Sequence, residues 1–177
     1  MKYISILLVL ALLLTCSLIG CKDLSSLNEK QTPVTSLEES MSEYLKTVEE
    51  KLPDDLRLTI YYLDPTVLTR APLSKEDLQS YPGVVKITVE AEELASHREQ
   101  MKKLDPNILQ PVQEESHINA RLYYFFEVGD SEKILEVIIS NIYGSVCVND
   151  FEVENTPVFY DLILPFLEDE DRQILGK

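Results

Sequence analysis

Positive charge is scarce in this sequence of 177 residues. It has 16 Lys and Arg residues against 31 Asp and Glu residues, a formal net charge of −15. Binding to phosphate backbones or to anionic lipid headgroups depends on clustered Lys and Arg, so the composition disfavours nucleic acid as a partner. An acidic, solvated surface is the simplest explanation of the charge, and capture of a basic partner is the alternative.

Cysteine is also scarce, since only Cys16, Cys21 and Cys147 occur. If Cys21 is modified, no disulfide framework can form, and we expect a hydrophobic core to supply the stability. The composition, with 45% hydrophobic and 27% charged residues, is that of a folded protein. The length suits one domain.

The familiar catalytic motifs are missing, including GxSxG, the P-loop, the dinucleotide fingerprint and HExxH. His97 falls on the apolar side of a predicted helix, which is typical of the rim of a core. His117 follows Glu114 and Glu115, but this spacing matches no zinc or calcium site. Cys147 lies in a short apolar strand, where a thiol usually behaves as a small buried hydrophobe. We therefore expect no metal, no cofactor and no enzymatic activity.

One long apolar run occupies the amino-terminal end. Lys2 precedes it, and no charged residue occurs from Tyr3 to Gly20. A secretory signal needs about 7 to 15 apolar residues, whereas a membrane-spanning helix needs roughly 20. The run therefore favours a signal peptide over residues 1–20, with an uncleaved anchor helix as the alternative.

The run closes with Leu18-Ile19-Gly20-Cys21. This tetrapeptide resembles the lipobox of bacterial lipoproteins, with an apolar residue three places before the cysteine and a small residue next to it. The resemblance implies cleavage after Gly20, a diacylglycerol and acyl lipid on Cys21, and a lipid-anchored location on the outer side of the cell membrane. Cys16 fits the pattern less well because Thr15 precedes it. The overall layout also resembles small uncharacterised lipoproteins of Gram-positive bacteria.

Two further segments follow the signal peptide. Residues 21–36 are polar and lack apolar periodicity, which predicts a lipidated cysteine followed by a flexible tether. Residues 37–177 are predicted to form a single extracytoplasmic α+β domain. Ser36 and Glu39 fit a capping box that opens an amphipathic helix, which Pro53 ends.

Strand and helix patterns are mixed along this domain. Alternating or continuous apolar runs predict strands at 56–63, 84–89, 118–128, 133–140, and on both sides of an Asn149-Asp150 turn. Further helices are predicted after Ser74, over 91–104, and after the N-cap pair Thr156-Pro157, with a kink or restart at Pro165. Short turns join the later strands, so these should pair antiparallel. The predicted class is α+β, with a mainly antiparallel sheet of about five strands and helices packed on one face.

A candidate binding patch follows if the strands at 56–63 and 118–128 are neighbours. Five side chains would then share the face opposite the main apolar positions: Arg57, Tyr61, Arg121, Tyr123 and Phe125. Arginine and tyrosine are enriched in binding surfaces. The alternative is that a helix covers this face and the side chains serve packing.

Three functions remain open from the sequence. The favoured one is a membrane-anchored, non-enzymatic lipoprotein whose extracytoplasmic domain binds a protein, a peptide or a cell-wall glycan. The second is a cell-surface hydrolase using Cys147 or a carboxylate pair. The third is an acidic inhibitor or immunity-type protein that captures a basic partner.

Overall fold

The computed structural model of the protein describes residues 33–50, 52–112, 118–129, 133–140 and 144–175. The predicted signal peptide, the predicted lipobox residues Gly20 and Cys21, most of the predicted tether, and His117 lie outside the described residues.

A six-stranded antiparallel sheet organises the fold, with strand order β2-β1-β3-β4-β5-β6. The strands are β1 (Leu56–Tyr62), β2 (Val85–Glu90), β3 (Leu122–Val128), β4 (Lys133–Ile139), β5 (Val146–Val148) and β6 (Phe151–Val153). The α+β class and the antiparallel sheet predicted from the sequence are confirmed. The strand count exceeds the expected five by one.

In the described residues, six helices and two 3-10 turns pack around the sheet. The helices are α1 (Pro33–Glu49), α2 (Lys75–Ser80), α3 (Ala91–Ser96), α4 (Arg98–Met101), α5 (Val158–Asp161) and α6 (Asp169–Leu175). The 3-10 turns are Pro106–Ile108 and Leu164–Phe166. Pro165 lies in the second turn, so the restart predicted there is confirmed.

The main core lies on one face of the sheet, here called the first face. Every helix except α2 contributes to it, and α1 supplies four fully buried side chains at helical spacing: Leu37, Met41, Tyr44 and Val48. The Tyr44 hydroxyl donates to the Met101 carbonyl at 2.8 Å, and the Tyr124 hydroxyl donates to the Phe159 carbonyl at 3.0 Å. Both buried phenols thus find acceptors, as burial of a polar group requires.

The opposite face of the sheet, here called the second face, carries a smaller core. Its buried members are Tyr61, Leu63, Leu73, Leu78, Ala120, Tyr123, Phe125, Ile138 and Cys147. Helix α2 and the chain on either side of it, residues 63–84, cover part of this face. The expectation that helices pack on one face therefore holds for five helices and fails for α2. Ser74 caps α2 by accepting from the Asp77 amide, and the Asp77 carboxylate in turn accepts from the Ser74 amide.

Two predicted helix boundaries were wrong. Helix α1 begins at Pro33, so Ser36 lies inside the helix rather than at its N-cap, and the predicted tether overlaps the first turn. The helix predicted over 91–104 breaks at His97 into α3 and α4. Next to the break, the Arg98 guanidinium donates to the carbonyls of Val48 and Glu49 at the end of α1, at 2.7 and 2.6 Å.

The predicted N-cap at Thr156 was also wrong in detail. A helix does follow, but the Thr156 hydroxyl oxygen is buried without a hydrogen-bond partner among the described residues. The Phe159 amide instead donates to the Thr156 backbone carbonyl at 3.3 Å. The turn is therefore held by backbone bonds and by Pro157, whose fixed φ suits a helix start.

Candidate functional site

The second face brings the predicted patch residues together. Strands β1 and β3 are neighbours, with Tyr61 opposite Tyr123. The two phenol rings stack at 5.9 Å between centroids and 17° between planes, and the Tyr123 and Phe125 rings lie 5.4 Å apart. One row of aromatic rings thus crosses the centre of the sheet.

These aromatic side chains are covered rather than open to solvent. Tyr123 is fully buried, and Tyr61 and Phe125 are more than nine-tenths buried. Lysines lie over the remaining ring surface. The Lys133 ammonium is 4.4 Å from the Phe125 centroid, and the Lys86 ammonium is 5.4 Å from the Tyr61 centroid. The rings therefore contribute packing, and a direct role for them in ligand binding stays a prediction.

An ion network at Glu136 holds α2 against the second face. Glu136 is only 14% exposed and pairs with Lys75 of α2 and with Lys133 of its own strand, the latter at 2.7 Å. The Tyr123 hydroxyl donates to the same carboxylate at 2.6 Å. Burial opposes ionisation of Glu136, but the hydrogen bonds from Lys133, Lys75 and Tyr123 outweigh it and lower its pKa to about 2. The carboxylate is thus ionised and accepts several hydrogen bonds, which is typical of a group that stabilises the fold.

The two arginines of the patch have different surroundings. Arg57 pairs with Glu127 across β1 and β3 at 2.7 Å. Arg121 donates from Nη2 to the Thr69 hydroxyl at 3.1 Å, while its Nη1 is buried with no hydrogen-bond partner in the described structure. A buried donor left unpaired costs about 1–3 kcal/mol, so such groups are rare. Arg121 is therefore the one arginine of the patch with binding capacity that the described fold does not use.

A groove beside α2, here called the α2 groove, lies next to this arginine. It encloses about 590 Å³ and is lined by Leu68, Thr69, Arg70, Ala71, Pro72, Leu73, Asp77, Ser80, Tyr81 and Pro82. Thr69 belongs to the wall of the groove and also holds the Arg121 guanidinium. Leu68 is 92% exposed at the groove. A single exposed apolar side chain is common on protein surfaces, so Leu68 supports a binding site only together with the concave surface beside it.

The residues considered for catalysis are not brought together. The His97 ring packs edge-on against Phe166 on the first face, with 5.0 Å between centroids. Cys147 is buried in the core of the second face. The sheet thus lies between this histidine and this thiol. In the described ranges, no three His, Cys, Asp or Glu side chains are placed to hold a metal ion.

None of the helices in the described residues is long and apolar enough to cross a membrane.

Several residues of the site were missed from the sequence. Lys75 reaches Glu136 across 61 positions of sequence, a pairing that no local pattern reveals. Leu68 gave a weak signal that could have been used, since it is an apolar residue in a loop bounded by Pro65 and Pro72. Arg121 was identified, but on the basis of strand alternation rather than of its unpaired nitrogen.

Comparison of the chain with models of known protein families, with curated proteins and with solved structures finds no match.

Proposed function

We propose that this protein is a non-enzymatic, lipid-anchored binding protein of the bacterial cell membrane, and that its α2 groove takes an extended, largely apolar peptide segment carrying one carboxylate. The observation that carries the proposal is the exposed Leu68 beside a groove whose wall residue Thr69 holds Arg121 with an unpaired Nη1. The lipobox at Leu18 to Cys21 supports the anchor and the extracytoplasmic location.

The lining of the groove favours a peptide over a glycan. Its apolar members are aliphatic or proline side chains together with one aromatic ring, that of Tyr81. Sugars are usually held between or on several aromatic faces, and the other rings of the second face are buried beneath α2 and the lysines. Proline and leucine surfaces suit an extended apolar backbone, which can fill the groove at low cost in conformational freedom.

Charge at the groove favours a carboxylate on that peptide. Arg70 is an exposed wall residue, and Arg121 lies behind Thr69. The acidic wall residue Asp77 is already engaged with Ser74 in the cap of α2. Guanidinium groups bind carboxylates through paired N–H donors. A carboxylate in the groove can meet the exposed Arg70 directly, and its pairing with the buried Arg121 Nη1 as well requires Thr69 to move aside.

A tryptophan reporter tests this assignment directly, because the chain contains no tryptophan. Tyr81→Trp places a fluorophore in the groove wall of the full chain in detergent micelles. The probe is the peptide N-acetyl-Leu-Pro-Leu, used once with a free carboxylate and once as the amide. We expect the emission to change and saturate as the carboxylate peptide is added. The amide peptide should bind at least about tenfold more weakly, since a charge-assisted bond contributes about 1.5–3 kcal/mol.

Matched variants separate groove binding from general effects. Arg121→Gln in the Tyr81→Trp chain should weaken the carboxylate peptide to the level of the amide, while thermal unfolding checks that the variant remains folded. Ile108→Trp, an exposed reporter in the 3-10 turn outside the groove, should not respond. Equal binding of both peptides, or an unchanged affinity in folded Arg121→Gln, would contradict the proposal.

A further inference from the structure

The two edges of the sheet are treated differently by the fold. At the β6 edge, Pro111 bridges to Val153, and the Val112 amide donates to the Glu152 carbonyl at 3.0 Å. At the β2 edge, β1 pairs with one side of the strand, and no described residue pairs with the other side. One edge is therefore covered and the other presents unpaired backbone groups, which are a template for another strand.

Strand β2 lacks most of the features that prevent edge pairing. It is six residues long and contains neither proline nor glycine. Val85 is 41% exposed, and Thr88 is also exposed. Its two charged residues, Lys86 and Glu90, have opposite signs and are four residues apart, so both point to the same face of the strand. A lone lysine on an edge strand would repel the same lysine of a second copy. Lys86 and Glu90 carry opposite charges, so the lysine of one copy can instead pair with the glutamate of the other.

We propose that β2 pairs antiparallel with β2 of a second copy of this chain, in the register that places Thr88 opposite Thr88. In that register Lys86 lies opposite Glu90 twice, and Ile87 lies opposite Val89 twice. Opposite charges and apolar pairs at facing positions both stabilise antiparallel strands. The two-fold axis passes between the Thr88 residues, which gives the isologous contact that most homodimers use.

The neighbouring registers lack this complementarity. Residues that lie opposite each other in neighbouring strands point to the same face of the sheet. The register can therefore shift only so that each side chain still faces one from the same side, which moves the centre of the pairing from Thr88 to Ile87 or to Val89. Centring the pair on Ile87 puts Lys86 opposite Thr88, and centring it on Val89 puts Glu90 opposite Thr88. Only the register centred on Thr88 forms Lys–Glu pairs. Because each copy has a net charge of −15, local attraction of this kind is needed to bring two copies together.

Disulfide trapping tests the register in the full chain, expressed in bacterial membranes and oxidised by air with a copper(II) catalyst. The two Thr88 Cα atoms would be about 4.5–5.5 Å apart, within the range that a disulfide spans. Thr88→Cys should therefore yield a covalent homodimer. Val85→Cys is the matched control, since the two exposed positions would be about 20 Å apart in this register. The unsubstituted chain reports any dimer formed through native cysteines.

Charge reversal in the Thr88→Cys chain tests the ion pairs. Lys86→Glu or Glu90→Lys alone turns two attractive pairs into repulsive ones, and we expect the dimer association constant to fall about tenfold. The double swap Lys86→Glu with Glu90→Lys should restore it. A Thr88→Cys dimer no more abundant than that of Val85→Cys, a double swap that fails to restore it, or trapping of a partner of different mass would overturn the proposal.

A second measurement needs no substitution. A carbodiimide joins contacting lysine and glutamate side chains, and in the unsubstituted chain it should link Lys86 of one copy to Glu90 of the other. Within one strand these residues are four positions, or about 13 Å, apart, so the link cannot form inside one copy. Absence of this link from membranes that carry the chain would overturn the proposal even if Thr88→Cys failed to fold.

Discussion

Glu136 is the residue on which several separate parts of the domain converge. Its carboxylate accepts from Lys75 of α2, from Lys133 of β4 and from Tyr123 of β3, and its backbone amide donates to the Asn149 side chain at 2.7 Å. The two lysines are partly exposed, so solvent screens part of their attraction. The carboxylate itself is largely buried, which makes the loss of its partners costly.

Glu136→Gln should therefore destabilise the fold in a pH-dependent way. Because the folded-state pKa lies below the ordinary value of 4.5, ionised Glu136 stabilises the folded state above about pH 5 and loses this effect as pH falls toward 2. We expect the variant to be less stable by about 1–3 kcal/mol at pH 7, with a gap that narrows to a small fraction of this value by pH 2.5. Urea unfolding of both chains between pH 2.5 and 7 measures it.

The control for this prediction is Glu99→Gln, which removes an exposed carboxylate paired with Lys102 one helical turn away. Exposed pairs of this kind contribute little, so its unfolding curve should match that of the unsubstituted chain at every pH. A Glu136→Gln gap that stays constant across the pH range would show that the carboxylate charge is not what stabilises α2 on the sheet.

Single residues also mark where sequence reasoning stops. Alternation along β1 and β3 correctly placed Tyr61 and Tyr123 on one face, because side-chain direction in a strand follows from local geometry alone. The same alternation could not show that Lys75 and Lys133 close over that face, since those contacts depend on how the loops fold back. The hydrogen bond from Arg121 Nη2 likewise depends on Thr69, which is 52 positions away.

At the scale of elements, the hairpin between β5 and β6 was predictable in kind. Asn149 and Asp150 both adopt positive φ, 46° and 67°, as a two-residue turn between twisted strands requires. Helices were less predictable at their ends. The apolar pattern over 91–104 runs through His97, but the helix breaks there, next to the Arg98 side chain that contacts the end of α1. Local pattern thus identified the elements but not their limits.

Asn149 should be more important to the hairpin than its neighbour Asp150. Its side chain accepts from the Glu136 amide and donates to the Ser40 carbonyl of α1 at 2.8 Å, in addition to its strained φ. Asn149→Ala loses both bonds and disfavours the turn, so we expect a loss of about 2–4 kcal/mol. Asp150→Gly keeps the turn and relieves positive φ, which predicts a gain of up to about 1 kcal/mol.

Urea unfolding of the two variants checks this asymmetry. Asn149→Gly serves as the matched control, because glycine accepts the positive φ and removes only the side-chain bonds, so its loss should lie between the other two values. The Asn149→Gly loss should therefore be measurable but smaller than that of Asn149→Ala. If Asn149→Gly were as stable as the unsubstituted chain, the bonds to Glu136 and Ser40 would contribute nothing, and the link between α1 and the hairpin would be wrong.

At the scale of the whole molecule, the asymmetry of the sheet explains where binding can occur. The first face is filled by five helices, while the second face has one short helix and a loop, which leaves the α2 groove beside it. The sheet also has one covered edge and one open edge. The proposed ligand groove and the proposed edge for self-association are thus separate surfaces, and Cys21, the proposed lipid attachment site, belongs to a third part of the chain.

Cys21 is the proposed site of lipid attachment, and its substitution tests the anchor. Two acyl chains on one cysteine hold a protein stably at a membrane, whereas the acidic domain gains nothing from anionic headgroups. Cys21→Ala removes the thiol that would carry the lipid, so incorporation of labelled palmitate in a bacterial host should be lost and the chain should keep residues 1–20. Cys16→Ala and Cys147→Ala should both retain labelling and cleavage, as read by gel mobility and intact mass. Labelling that persists in Cys21→Ala would remove the proposed attachment site and would favour the uncleaved anchor helix.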